Sequence, residues 1–321
     1  MIIRYAQVKT MQKLIVSGMP RSGTSWTAKT LSFAPGFSYC REPDNADHVA
    51  GALSRYNWVY VPGRDFAPAQ WATHMKRALT GRIATNFTMK EDPGPLVSRL
   101  PPRYRYFSDR FPLLFLRKRN ILVKLVRANL ALPWIEETFP EAKVVSLIRH
   151  PVGQFSSFQR LGWQPRPEVL LSNLRLLEDH LSGFETHIRQ AETFWERAGA
   201  MWGAVNLVIC RQQAAGARHH IVPFEWLCRE SEANFETLFA RIGLPFPKAA
   251  RHFLATSNKG GKKETIYSLS RRTRAQIDKW RSEVSTEDIV ACRAFAEPFG
   301  IPYYDDFNPW FAEPTWGEAS Y

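Results

Sequence analysis

Residues 18–26 read Gly18-Met19-Pro20-Arg21-Ser22-Gly23-Thr24-Ser25-Trp26. The apolar run Lys13-Leu14-Ile15-Val16-Ser17 comes just before and reads as a buried parallel strand. Trp26 to Phe33 follows and reads as the first turns of a helix. A strand, a glycine-rich loop and a helix N-terminus make an anion site, because exposed N–H groups and the positive helix end converge there. The spacing is close to a P-loop: Gly18, four residues, Gly23, then Thr24-Ser25 where a nucleotide-hydrolysing loop has Lys-Ser/Thr. The lysine is missing, and a cation stands inside the loop instead, as Arg21. A triphosphate handled with magnesium needs that lysine and a metal-holding acid. This loop keeps the phosphate cradle without them.

The rest of the chain bounds the reading. Its 321 residues, 45% of them hydrophobic, can build a sizeable core. No apolar run approaches the ~18–20 residues that span a bilayer. The first residues are too short and too polar for a signal peptide. Cys40, Cys210, Cys228 and Cys292 have no metal spacing and read as free thiols in a reducing compartment, so a cytoplasmic location and no metal site are expected. The net charge of +13 attracts anions, whether a polyphosphorylated nucleotide, an acidic glycan, a membrane surface or nucleic acid. No nucleic-acid-binding pattern accompanies it, so no nucleic acid is expected.

Along the chain, Phe37 to Cys40 reads as a second strand, followed by Arg41-Glu42-Pro43-Asp44. Pro43 predicts an extended conformation for Glu42. A carboxylate in this loop lies near the C-terminal end of the first strand, where open α/β sheets bind ligands. Pro68 to Leu79 reads as a helix with Trp71, Met75 and Leu79 on one face. The aromatic, Pro-rich and Arg-rich region 45–112 is expected to be an acceptor-side insertion. Ile121 to Val126 reads as a buried strand with a lysine in it, Lys124, and a buried lysine is costly unless paired. Leu130 to Phe139 is predicted helical, stopped by Pro140.

A second informative stretch is Lys143 to Leu161, KVVSLIRHPVGQFSSFQRL. Val144 to Ile148 is a strand with Arg149 at its C-terminal end. Pro151 suits the first turn of a helix, and Ser157 lies about two turns into it. Arg149 offers a planar fork to a phosphate, and the serine hydroxyl adds a hydrogen bond. Glu168 to Ala215 reads as mostly helical, His219 to Leu227 as a strand and turn, Ala233 to Ile242 as amphipathic, and Glu287 to Phe299 as a helix.

Pro20 to Trp26 resembles the 5′-phosphosulfate loop of the sulfotransferase family, and Arg149 with Ser157 resembles that family's 3′-phosphate motif. The resemblance implies a donor, 3′-phosphoadenosine 5′-phosphosulfate (PAPS), held by Pro20, Arg21, Ser22, Gly23, Thr24, Ser25, Trp26, Arg149 and Ser157, and leaving as PAP. It implies one α/β domain over residues 11–312, with a central, mostly parallel sheet flanked by helices in a P-loop-like topology. It casts Glu42, 21 positions after Arg21, as general base, and Lys124 and Arg21 as partners of the transferring sulfuryl group. The family's small-molecule branch uses a histidine base; His48 and His74 are the fallback candidates here. Phe224-Glu225-Trp226-Leu227 departs at two positions from the family's Tyr-Glu-Asp-Leu, and Glu225 is expected to be structural. Within the basic stretch 257–281, Lys259-Gly260-Gly261 loosely resembles the loop that closes over the nucleotide. The acceptor is expected to be a small molecule or a glycan, weakly favoured as a polyol or an acidic compound. An atypical P-loop kinase and a non-catalytic anion-binding or nucleic-acid-binding protein remain the alternatives.

Overall fold

The computed structural model describes residues 11–49, 58–62, 67–83, 85, 120–258 and 273–317. Among these, five strands form one parallel sheet: β1 (Lys13–Gly18), β2 (Phe37–Arg41), β3 (Asn120–Leu125), β4 (Lys143–Ile148) and β5 (His220–Pro223), in the order β2-β3-β1-β4-β5. Val16 of β1 is in register with Lys124 on one side and Val145 on the other. The strands are short apolar runs because both faces are covered, which leaves few positions for polar side chains. The chain leaves β1 toward β2 and β3, then crosses to β4 on the opposite flank. The crevice at the C-terminal ends beside β1 is therefore the switch point where such sheets bind ligands.

One face of the sheet carries Leu14, Val16, Leu122, Val145 and Val222. It packs on α1 (Thr24–Leu31) and on the helices that follow β5. On the other face, Ile15, Val123 and Val144 meet α2 (Ala69–Leu79) and α3 (Leu132–Thr138). There too lie α4 (Pro151–Gln159) and the 21-residue α5 (Phe194–Ala214). The start of α5 is fixed by a capping box between Thr193 and Glu196. Its Gly199 and Gly203 let the helix Thr286–Ala296 and the turn after it pack close: an added Cβ would come within 2.3 Å of the Cys292 carbonyl and 2.1 Å of the Phe299 ring. After β5 the chain forms α6 (Phe224–Arg229), α7 (Ser231–Arg241), α8 (Lys248–Ser257) and α9 (Thr286–Ala296).

The elements match the sequence reading closely, with two differences. The 168–215 region is mostly helical as read, in short pieces that include a five-residue π turn at Leu177–Leu181, followed by the long helix. Phe224 to Leu227 is helical, not a turn: Pro223 ends β5 and is the extended N-cap of the helix that begins at Phe224. Glu42 is left-handed (φ 54°), not extended. The local preference set by Pro43 is overridden because the Glu42 N–H donates to the Lys124 carbonyl at 2.9 Å, and its side chain is fixed from the same strand. Among the described residues, no helix is long and apolar enough to cross a membrane. The four cysteines are free thiols, and Cys40, Cys228 and Cys292 are buried.

Candidate active site

The loop from Gly18 into α1 is built to turn tightly. The Ser22 N–H bonds the Met19 carbonyl at 3.1 Å, Arg21 is left-handed (φ 69°), and Gly23 is left-handed (φ 93°) at the N-cap of α1. Gly23 also has no room for a side chain, since a Cβ would lie 2.2 Å from the Phe224 ring. The Ser22 hydroxyl is buried without a hydrogen-bond partner. An unsatisfied buried hydroxyl is costly, and in a loop of this geometry it suits an anionic oxygen. Thr24 is buried beside it. Pro20 accepts a hydrogen bond from Gln154 of α4 at 3.0 Å, tying the loop to the 149–159 segment. Trp26 faces the core, edge-on to Phe224 and Phe235, with its Nε1–H donating to Ser257 at 3.3 Å.

On the β4 side, three predicted residues meet. Arg149 Nη1 donates to the Arg21 carbonyl at 3.0 Å, and Arg21 Nε donates to Ser157 Oγ at 2.7 Å. Ser156 instead bonds the Gly153 carbonyl within its own helix, as its position on α4 predicts. The Arg149 guanidinium lies 4.6 Å from the Phe224 ring centroid, within cation–π range. Its backbone is clamped: Trp202 donates to its carbonyl at 2.8 Å, and the next N–H, of His150, bonds Glu225 Oε1 at 3.1 Å. Glu225 Oε2 accepts from Tyr304 at 2.8 Å. Burial raises the Glu225 pKa, with Arg149 and these hydrogen bonds opposing. Glu225 is thus a structural brace, as expected. His150 stacks on Trp280 at 4.5 Å, and burial lowers its pKa to about 3, so it is neutral.

On the β2–β3 side, Lys124 explains its own burial. Its ammonium makes an ion pair with Glu42 Oε1 and a 2.9 Å hydrogen bond to Ser25 Oγ at the start of α1. Burial alone would raise the Glu42 pKa. Lys124, with Asn45 donating to Oε2 at 2.9 Å and Arg41 3.5 Å away, outweighs it and lowers the pKa to about 2. Burial pulls Lys124 below the usual lysine range, opposed by Glu42. The structure therefore brings base candidate, lysine and phosphate loop into one contact chain across residues 25, 42 and 124.

Sequence reasoning missed Asp44. This carboxylate is buried, and its Oδ2 accepts from three successive N–H groups, Val126 (2.7 Å), Arg127 (2.6 Å) and Ala128 (3.0 Å). It fixes the turn after β3 and, through the chain, both Glu42 and Lys124. Asp after Pro in Glu42-Pro43-Asp44-Asn45 is a turn signal, but nothing local says that it caps a segment more than 80 positions away. His74, a fallback base, bonds the Pro43 carbonyl at 2.6 Å and so latches this loop. The His48 side chain, Lys259, Gly260 and Gly261 lie outside the described residues, as does most of the 45–112 region.

A model of the sulfotransferase family matches residues 13–248. The sulfotransferase domain of the Synechococcus PCC 7002 olefin synthase is 17% identical, with 91% of this chain and 97% of that one covered at a TM-score of 0.45. Mouse sulfotransferase SULT7A1, solved with PAP, is 9% identical over 88% of this chain and 82% of that one, at 0.43. A sulfotransferase from Alicyclobacillus acidocaldarius is 15% identical over 89% and 96%, at 0.37. No curated protein matches the chain.

Proposed function

The chain belongs to the sulfotransferase family, and from that premise we propose that it moves a sulfuryl group from PAPS to a hydroxyl or amine of an acceptor, releasing PAP. The observation that carries the reading is the buried Glu42–Lys124 pair, hydrogen-bonded to Ser25 of the phosphate loop.

In this reading the acceptor's oxygen or nitrogen attacks sulfur while Glu42 takes its proton. The bond from sulfur to the 5′-phosphate oxygen breaks. Lys124, Arg21 and the loop N–H groups stabilise the charge that collects on that phosphate. Arg149 and Ser157 hold the 3′-phosphate, as a guanidinium fork and a hydroxyl are suited to do.

The pairing also couples the two substrates. A carboxylate with a pKa of about 2 is a weak base at neutral pH. Donor phosphosulfate beside Ser25 competes with Glu42 for the Lys124 ammonium. As the ammonium turns toward the donor, the lowering influence on Glu42 weakens and its basicity rises. Arg21 turns likewise: it donates to Ser157 Oγ, and an anion in the loop competes for it. The base is thus strengthened only when the donor is in place.

The test is transfer from sulfur-labelled PAPS, with purified protein, into a panel of alcohols, phenols, amines and glycans. Label in an acceptor, with stoichiometric PAP, is the expected result. Label transfer from γ-labelled ATP with magnesium, and none from PAPS, would establish the kinase alternative.

A further inference from the structure

Three residues after Lys124, the chain presents a cation that the transfer chemistry does not use. Arg127 is half-buried, its Nε is buried and donates to nothing, and no ion pair to its guanidinium exists among the described residues. A buried guanidinium N–H without an acceptor is unfavourable unless something else binds there. The position is held firmly. The Arg127 N–H is the middle one of the three that Asp44 accepts, at 2.6 Å. Its guanidinium carbon lies 5.7 Å from the centroid of the Trp58 ring, which is itself buried. Trp58 has a left-handed backbone (φ 56°), an outlier for a bulky residue and a strain that gathers at functional sites.

The placement is specific. Lys124 is the penultimate residue of β3, and three residues of chain reach at most about 11 Å, so the Arg127 backbone lies just beyond the strand end that carries Lys124. Lys124 shares the sheet face of Leu122 and points at Ser25 of α1. Arg127 rests on Trp58, which belongs to the cluster on the opposite side with Met19 and Ile148. The guanidinium is therefore at the catalytic edge of the sheet but outside the phosphate loop. A planar fork backed by an indole face is suited to a planar or tetrahedral oxyanion.

We propose that Arg127, seated on Trp58, is an acceptor subsite that binds an anionic oxygen group, a carboxylate or a sulfate or phosphate ester, and so makes the acceptor of this enzyme an acidic molecule. The anion-binding property stands on the residues themselves; its assignment to the acceptor rests on the sulfotransferase reading. The net charge of +13 favours the approach of such a molecule.

The experiment titrates three small probes, methyl sulfate, glucuronate and glucose, into the full chain saturated with PAP, at constant ionic strength. Heat of binding is recorded for the parent, Arg127→Gln and Arg127→Lys. Saturable binding of methyl sulfate or glucuronate to the parent is expected, at least tenfold weaker in Arg127→Gln and intermediate in Arg127→Lys, with glucose silent. Which of the two anions binds tells an ester from a carboxylate. PAP affinity within twofold of the parent shows that Arg127→Gln is folded. Equal anion binding by parent and Arg127→Gln, or none by the parent, overturns the proposal. Failure of every variant and the parent to bind PAP would instead overturn the donor assignment, and the same titrations without PAP would still decide Arg127.

Discussion

On the β2–β3 side of β1, the site is held by charge. Glu42 and Lys124 are both buried and paired, Arg41 lies beside them, and Asp44 spends a carboxylate oxygen on three backbone N–H groups. On the β4–β5 side, the corresponding carboxylate and ring are held by hydrogen bonds and ring stacking, with the Arg149 charge acting on Glu225. Glu225 is pushed up by burial and takes hydrogen bonds from a tyrosine and a backbone N–H, while His150 is kept uncharged between Trp280, Tyr304 and Phe307. The difference follows from the task given to each side. In the proposed reading, a proton acceptor and a leaving-group partner change charge state or partner during the reaction, which suits a separable ion pair. The arginine proposed to bind phosphate is held in a fixed frame, clamped through its own backbone by Trp202 and Glu225.

The comparison is broken or sharpened first on the charged side. Glu42→Gln keeps the shape and removes the proposed proton acceptor. The turnover number is expected to fall by about 10²–10⁴, with PAP affinity within about threefold, since a group needed only in the transition state leaves ground-state binding alone. Near-parental turnover would put the base elsewhere. A collapse of PAP affinity would show that the pair's work is to shape the loop.

On the β4–β5 side, Arg149→Ala is expected to weaken PAP by about 2–4 kcal/mol, the range for truncating one side of a desolvated charged contact. Adenosine 5′-phosphosulfate, which lacks the 3′-phosphate, should bind almost unchanged. Equal losses for both ligands would make Arg149 a support of the fold, through its contacts with Arg21 and Phe224.

These two sites were legible in the sequence to different depths. The strands were readable because each is a short apolar run, and Lys124 stood out as a charge away from the ends of such a run. Arg149 and Ser157 were readable because both lie on one strand–helix unit. What escaped depends on distant partners. Asp44 reaches N–H groups 82 to 84 positions on, and Glu225 is completed by Tyr304, 79 positions away. The bond from Arg21 to Ser157 spans 136 positions, so the loop cation and the helix serine look like separate motifs until the chain is folded. The local rule of an extended Glu42 before Pro43 failed where the Glu42 N–H and carboxylate are both bound by Lys124 of the neighbouring strand.

The smallest effect separates the sides by pH. Both Glu42 and His150 have folded pKa values below their usual ones, so each contributes stability above its unfolded pKa and loses it as pH falls. For Glu42 the window runs from 4.5 down to about 2, and for His150 from 6.5 down to about 3. Between pH 6.5 and 4.5 the β4–β5 side should therefore weaken while the ion pair is intact. His150→Phe keeps the stack on Trp280 and removes the titrating group. Denaturant unfolding of parent and variant across that window should diverge by at most about 1.4 kcal/mol per pH unit, the parent being the steeper. Parallel curves would mean that His150 is protonated in the folded state.

The central claim is that the cleft reads a nucleotide carrying a 3′-phosphate, and calorimetric titration of the purified chain with PAP and with ATP tests it most directly. PAP is predicted to bind at least tenfold more tightly than ATP, with the advantage lost in Arg149→Ala. Equal affinity for the two nucleotides in the parent would contradict the account.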